Sequence, residues 1–172
     1  MKYTRFEELP VWQAAIKLAV QVYAFTASEK FKGQSSLRDQ IERAAVSVSN
    51  NIAEGYERGT TQELLTFLYI ARGSAGEVRS MLCLFERLPI FSDLKSEISN
   101  LKSLAESISR QLRAWADALQ NSDIKGQRYL TDKVRRDERA VREREEFREE
   151  LRRYQEVHRN PINRGTENDQ VE

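Results

Sequence analysis

The chain has 172 residues, with 28 basic and 27 acidic side chains and a net charge of +1. That length suits one domain with residues to spare and a core that needs neither disulfide nor metal, and the even balance gives no overall positive field of the kind phosphate recognition uses. Cys83 is the only cysteine, which excludes an intramolecular disulfide; in the apolar run SMLCLF it reads as a buried thiol.

Four helices and a charged extension emerge in chain order. The first begins near Pro10, whose missing N–H suits an opening turn. It runs through Trp12, Ile16, Ala19 and Tyr23 to Thr26. The second starts at Ser36, with Asp39 three residues on as a capping-box partner. It places Leu37, Ile41, Ala44, Ala45, Val48 and Ile52 on one face. Gly59 fits its C-terminus, and Thr60 with Glu63 fits a capping box for the third helix. That helix has the most regular seam, Leu64, Leu68, Ala71, Ala75, Val78, Leu82 and Phe85. Pro89 breaks it, and Ser92 or Asp93 caps the fourth, whose seam is Ile98, Leu101, Ala105, Ile108, Leu112, Trp115 and Leu119. One apolar seam per helix predicts an all-α fold, an antiparallel up-down-up-down four-helix bundle over residues 1–122.

Residues 123–158 are densely charged, with sparse apolar positions at Leu130, Val134, Val141, Phe147, Leu151 and Tyr154. Glu138/Arg142 and Glu149/Arg153 are favourable i, i+4 pairs, each worth about 0.2–0.5 kcal/mol. The pattern predicts an extra C-terminal charged helix, either a solvated surface or a docking arm for a subunit, a protein or RNA. Residues 159–172 read as a disordered tail.

The longest stretch free of charge, residues 18–28, falls far short of the roughly 20 apolar residues that span a bilayer. The start MKYTRFEELP lacks the apolar core of a signal peptide. The expectation is a cytoplasmic protein with no membrane partner.

Chemistry is hard to place. A di-iron bundle needs two Glu-x-x-His motifs, whereas His158 is the only histidine. Zinc and Ser-His or Cys-His nucleophiles fail on the same count, so no metal, cofactor or catalytic residue is assigned. GSAG (73–76) lacks the strand context and Lys-Ser/Thr of a phosphate loop, and its small residues suggest close helix packing instead. One polar constellation has order. Arg43, Ser47, Asn50, Glu54 and Arg58 recur every three or four residues, with Asn51 beside them. Arg72 and Glu77 flank the small residues of the third helix. The stripe admits three readings: a register-fixing network or subunit interface with Arg–Glu pairs between the second and third helices, an RNA-contacting face through Arg43, Arg58, Arg72 and Arg79, or catalysis by Glu54 without any accompanying group.

The segments FEELPVWQAAIKLAVQVY and LRDQIERAAVSVSNNIAEGYERGTTQELLTFLYIARGSAGEV, with the leucine-rich helix that follows, resemble a bacterial four-helix-bundle family. Its members are called S23 ribosomal-protein-like or 23S rRNA intervening-sequence proteins. The resemblance covers about residues 5–120 and places Gln40, Arg43, Asn51, Glu54, Gly55, Arg58, Gly73, Ser74 and Glu77 on the family pattern. It implies an antiparallel bundle that forms ring-like homopentamers and has no enzymatic activity. A branch similar in fold, the accessory variability determinants of diversity-generating retroelements, binds a reverse transcriptase and its template RNA as basic pentamers. The resemblance therefore implies an oligomeric accessory protein for such an enzyme, with direct binding of structured ribosomal RNA as the alternative. Arg43, Asn51, Glu54, Arg58, Arg72, Glu77 and Arg79 are the candidate interface or RNA-contact residues. Two departures stand out. Residues 1–122 hold 15 basic and 14 acidic side chains, so the bundle is nearly neutral, and the charged extension exceeds the usual family length.

Overall fold

The computed structural model describes residues 3–122 and 132–158, the last helix with its side chains over 140–154. Among these residues every regular element is helical: α1 (Pro10–Thr26), α2 (Ser35–Glu57), α3 (Thr61–Phe85), α4 (Lys95–Gln120) and α5 (Asp132–His158). Short 3-10 turns occupy Phe6–Glu8, Glu29–Phe31 and Pro89–Phe91. The chain divides into two compact units, Met1–Arg128 with α1–α4 and Tyr129–Glu172 with α5. Residues 123–131 of the expected charged helical extension and the expected tail, 159–172, lie outside the described residues.

Local chemistry explains most of the helix starts. Pro10 opens α1, and the Thr60 hydroxyl accepts from the Glu63 backbone N–H at 3.2 Å to cap α3. The same hydroxyl donates to the Glu63 carboxylate at 2.8 Å, closing the pair expected from the sequence. The other two starts depart from expectation. α2 begins at Ser35 behind Gln34 and α4 at Lys95 behind Leu94, in neither case with a side-chain cap. In place of a cap, each is fed by a 3-10 turn. Asp39 and Asp93, expected to serve those caps, pair instead with Arg38 and Lys30.

Those two turns are copies of one device, sixty residues apart. The backbone bonds Ser28→Phe25, Phe31→Ser28, Lys32→Glu29, Gln34→Phe31 and Arg38→Gln34 recur as Leu88→Phe85, Phe91→Leu88, Ser92→Pro89, Leu94→Phe91 and Ile98→Leu94. The Phe-x5-Phe spacing reads directly from the sequence, at Phe25/Phe31 and Phe85/Phe91. The four rings meet in one cluster, with Phe91 4.9 Å from both Phe31 and Phe85 by ring centroid. Such pairs add about 0.5–1.5 kcal/mol each beyond the area they bury.

These contacts fix the topology. The ring cluster joins the C-terminal ends of α1 and α3, and Lys30 reaches Asp93 at 3.0 Å across the two connections there. At the other end the Tyr56 hydroxyl of α2 donates to the Tyr3 carbonyl at 2.7 Å, and Gln120 of α4 donates to Tyr69 of α3. Only three residues separate α2 from α3. Three residues span at most about 10 Å, so two long helices packed together must run antiparallel. The result is an up-down-up-down bundle. Within the bundle α1 packs on α2, α2 on α3 and α3 on α4, α1 closes against α4, and α1 and α3 stand diagonally opposed.

The core follows the predicted seams in α2, α3 and α4, with Ile41, Ile52, Leu64, Leu68, Leu82, Phe85, Ile98 and Ile108 fully buried. α1 differs. Its buried face is Val11, Ala15, Leu18, Ala19, Val22 and Phe25, while Ile16 and Tyr23, expected in the seam, point outward with Val20. Lys17 is its only charged residue. A helix apolar on both sides offers two equally good stripes, and periodicity alone cannot choose between them. Cys83, expected buried, is half-buried.

Candidate functional site

The polar stripe of α2 lies along its seam with α3. Asn51 Nδ2 donates to the Ser47 carbonyl at 2.7 Å and to Ser47 Oγ at 3.0 Å. Ser47 Oγ lies 2.9 Å from Ser74 Oγ, and Ser74 Oγ donates to the Ile70 carbonyl at 3.1 Å. A hydroxyl carries one proton. Ser74 spends its own on Ile70, so Ser47 is the donor between the two serines. The chain thus runs in one direction, from Asn51 through Ser47 and Ser74 to Ile70. It is neutral, and each such bond contributes about 1 kcal/mol. Further along the seam, Gln40 Nε2 donates to the Glu77 carboxylate at 3.3 Å.

The closest helix approach on this seam is at Gly55. A Cβ built there would stand 2.7 Å from Phe67 Cβ and 3.2 Å from Leu64 Cδ1. Gly73 and Gly76, expected to let helices approach, are exposed, and a Cβ at either meets nothing within 4 Å. Within GSAG it is Ser74 and Ala75 that turn inward. Which glycine sits at the crossing depends on how the helices are rotated, and a repeat on one helix does not report that.

The charged candidates are surface groups. Arg58 Nη2 bonds the Glu54 carboxylate one turn back, lies 4.0 Å from Glu63, and stacks its guanidinium 5.1 Å from the Phe67 ring centroid. The Glu54 hydrogen bond raises the already high Arg58 pKa further. Both side chains remain nearly half exposed, at 45% and 49%, the regime in which an ion pair contributes about 0–1 kcal/mol. Arg43 donates to the carbonyl of Asp39 in its own helix at 3.2 Å. Arg79 reaches across to Glu106 of α4 at 3.8 Å, and Arg72 has no ion pair among the described residues. The expected Arg–Glu links between the second and third helices thus reduce to Arg58–Glu63. Arg43, Asn51, Glu54, Arg58 and Glu77 lie along the α2–α3 seam, whereas Arg72 and Arg79, seven residues apart, share a different face of α3. Sequence reasoning missed Tyr56 and Phe67, although two aromatics flanking an AEG-to-Thr turn offered a signal.

Two outward faces complete the surface. Ile16, Val20 and Tyr23 form an exposed apolar strip on α1, whereas on α3 Ile70 and Leu84 are exposed fourteen residues apart with Gly73 and Glu77 between them on that face. Among the described residues no three His, Cys, Asp or Glu side chains gather as a metal site would require. No helix there is long and apolar enough to cross a membrane.

The model of the 23S rRNA-intervening sequence protein family matches residues 7–114. The chain belongs to that family. The matched residues run from the first 3-10 turn into α4, so the family region is the bundle and α5 lies outside it. A crystal structure of a protein of unknown function from the S23 ribosomal protein family of Bacteroides thetaiotaomicron is similar in fold. Its TM-score is 0.55 at 18% identity, over 62% of this chain and 97% of that one. Comparison with curated proteins finds no match. No catalytic family is matched, and the family relationship assigns none of the seam residues a chemical step.

Proposed function

We propose that this family member is a non-enzymatic scaffold, a homopentamer, that serves as accessory to a nucleic-acid enzyme such as a reverse transcriptase together with its RNA. One observation carries the assembly: α1 exposes an apolar strip of Ile16, Val20 and Tyr23, and the diagonally opposed α3 exposes Ile70 and Leu84. Burying the α1 strip against α3 of the next copy is a heterologous contact, the kind that generates rings when the rotation closes. The subunit number five and the enzyme partner come from the resemblance to the accessory variability determinants. The seam supports a non-catalytic reading, because its serine hydroxyls are committed to one another and to a carbonyl, and Glu54 is held by Arg58.

The arginines favour a protein-mediated role over direct RNA binding. Arg58 and Arg79 are paired with carboxylates within the protein, leaving less free charge for phosphate. The test is light scattering of the whole protein at micromolar concentration, with Val20→Asp as the variant. The expected result is a ring mass for the parent and a monomer for the variant, whose outward position leaves the fold intact. A monomeric parent overturns the assembly. Affinity capture followed by identification of bound protein and RNA then separates an enzyme partner from RNA bound alone.

A further inference from the structure

The helix outside the family region carries its own recognition surface. Ala140, Phe147 and Tyr154 recur every seven residues along α5, and Leu151 lies between the last two on the same face. Phe147, Leu151 and Tyr154 are 62%, 41% and 63% exposed. Three large apolar groups on one stripe of an otherwise charged helix are what a helical partner buries.

The flanks of the stripe differ in sign. At 100° per residue, Glu143 and Glu150 border the stripe on one side of Phe147 with Glu146 beyond them, and Arg148 lies on the other side with Arg152 beyond it, while Arg144, seven residues before Leu151, stands in the seam itself. Like charges four residues apart, as in Glu146/Glu150 and Arg148/Arg152, are unfavourable on a lone helix. An opposite column from a neighbour relieves them. When two copies of α5 lie parallel and in register, the acidic flank of one meets the basic flank of the other. When they lie antiparallel, glutamate meets glutamate and arginine meets arginine. The charge pattern therefore selects both the occupant and its direction.

We infer that the stripe of Phe147, Leu151 and Tyr154 is the seam of a parallel, in-register coiled coil with α5 of a second copy of this chain. The inference rests on α5 alone and holds whether or not the bundles form a ring. Short apolar content and Arg144 at a seam position make it a weak coil, formed once copies are brought together, rather than a strong independent dimer.

Cysteine cross-linking of the full-length chain in a Cys83→Ser background tests it. Ala140→Cys and Tyr154→Cys sit symmetrically about Phe147, and Glu145→Cys on the far face is the control. In a mixture of the Ala140→Cys and Tyr154→Cys chains, parallel pairing links like positions, 140 to 140 and 154 to 154. Predominant 140-to-154 links show antiparallel pairing and overturn the inference. Linking no greater than the Glu145→Cys control also overturns it, because the stripe is then covered by something else, a bundle surface or RNA. Reversing one flank with Arg148→Glu is expected to lower like-position linking several-fold. Adding Glu143→Arg and Glu150→Arg restores complementarity and is expected to restore the links; a swapped chain that stays unlinked counts against charge selection. Light scattering of the same proteins before oxidation reports the ring separately.

Discussion

At the scale of single residues, the two kinds of glycine in this protein should respond in opposite ways to the same change. Gly55 lies where α2 meets Phe67 and Leu64, with no room for a methyl group. Gly55→Ala is expected to destabilise the bundle by about 1–3 kcal/mol through overpacking. Gly73 faces open space in the middle of α3, and Gly73→Ala should add up to about 1 kcal/mol of helix propensity. Urea denaturation followed by circular dichroism checks both, and a neutral Gly55→Ala would mean that the seam gives way there. Both positions belong to recognisable sequence stretches, yet the sequence cannot tell them apart. The difference lies in which side of each helix meets its neighbour. The hydrogen-bonded chain from Asn51 to Ile70 shows the same limit. Its members were visible as a polar stripe, but the partner Ser74 sits 27 residues away from Ser47.

At the scale of elements, α3 and α4 were the most legible, because their buried faces are apolar and their outer faces largely polar. α1 was not, since Ile16, Val20 and Tyr23 repeat outside the core with the spacing of core residues. The starts of α2 and α4 were misplaced for another reason. Their first turns are organised by backbone bonds of the preceding 3-10 turns, so the nearby Ser36, Ser92 and Asp93 had no capping to do. Asp93 is used between elements instead. Its hydrogen bond with Lys30 holds its carboxyl below the usual range, and Lys102 does the same for Glu86 between α3 and α4. Glu86 in turn raises Lys102. A depressed carboxylate pKa contributes stability above the ordinary value of about 4, and that contribution is lost as pH falls through the lower, folded value. The raised lysine works in the other direction and loses its contribution only as pH rises beyond the ordinary lysine range. Thermal melts should therefore show no pH dependence from these pairs near neutrality, where their contribution is complete, and a loss of stability in acid. Asp93→Asn should flatten the acid limb, and an unchanged limb would show that the pair contributes nothing to folding.

At the scale of the whole molecule, the bundle and the added helix obey different rules. The bundle buries nearly every regular apolar residue of α2–α4, is nearly neutral in charge, and leaves the apolar strip of α1 uncovered. On α5, Phe147, Leu151 and Tyr154 stay exposed, with glutamates on one side of the stripe and Arg148 on the other. The Phe-x5-Phe device repeated sixty residues apart has one more consequence. The bundle is two alike hairpins written in series, sharing an aromatic hub at one end and joined covalently at the other only by residues 58–60. Nothing in the hub requires that covalent joint. Chains severed within that turn and produced as two pieces should find each other and regain the helical signal and cooperative melt of the parent. Pieces that stay apart and unfolded would show that the joint itself, rather than the shared rings, brings the halves together.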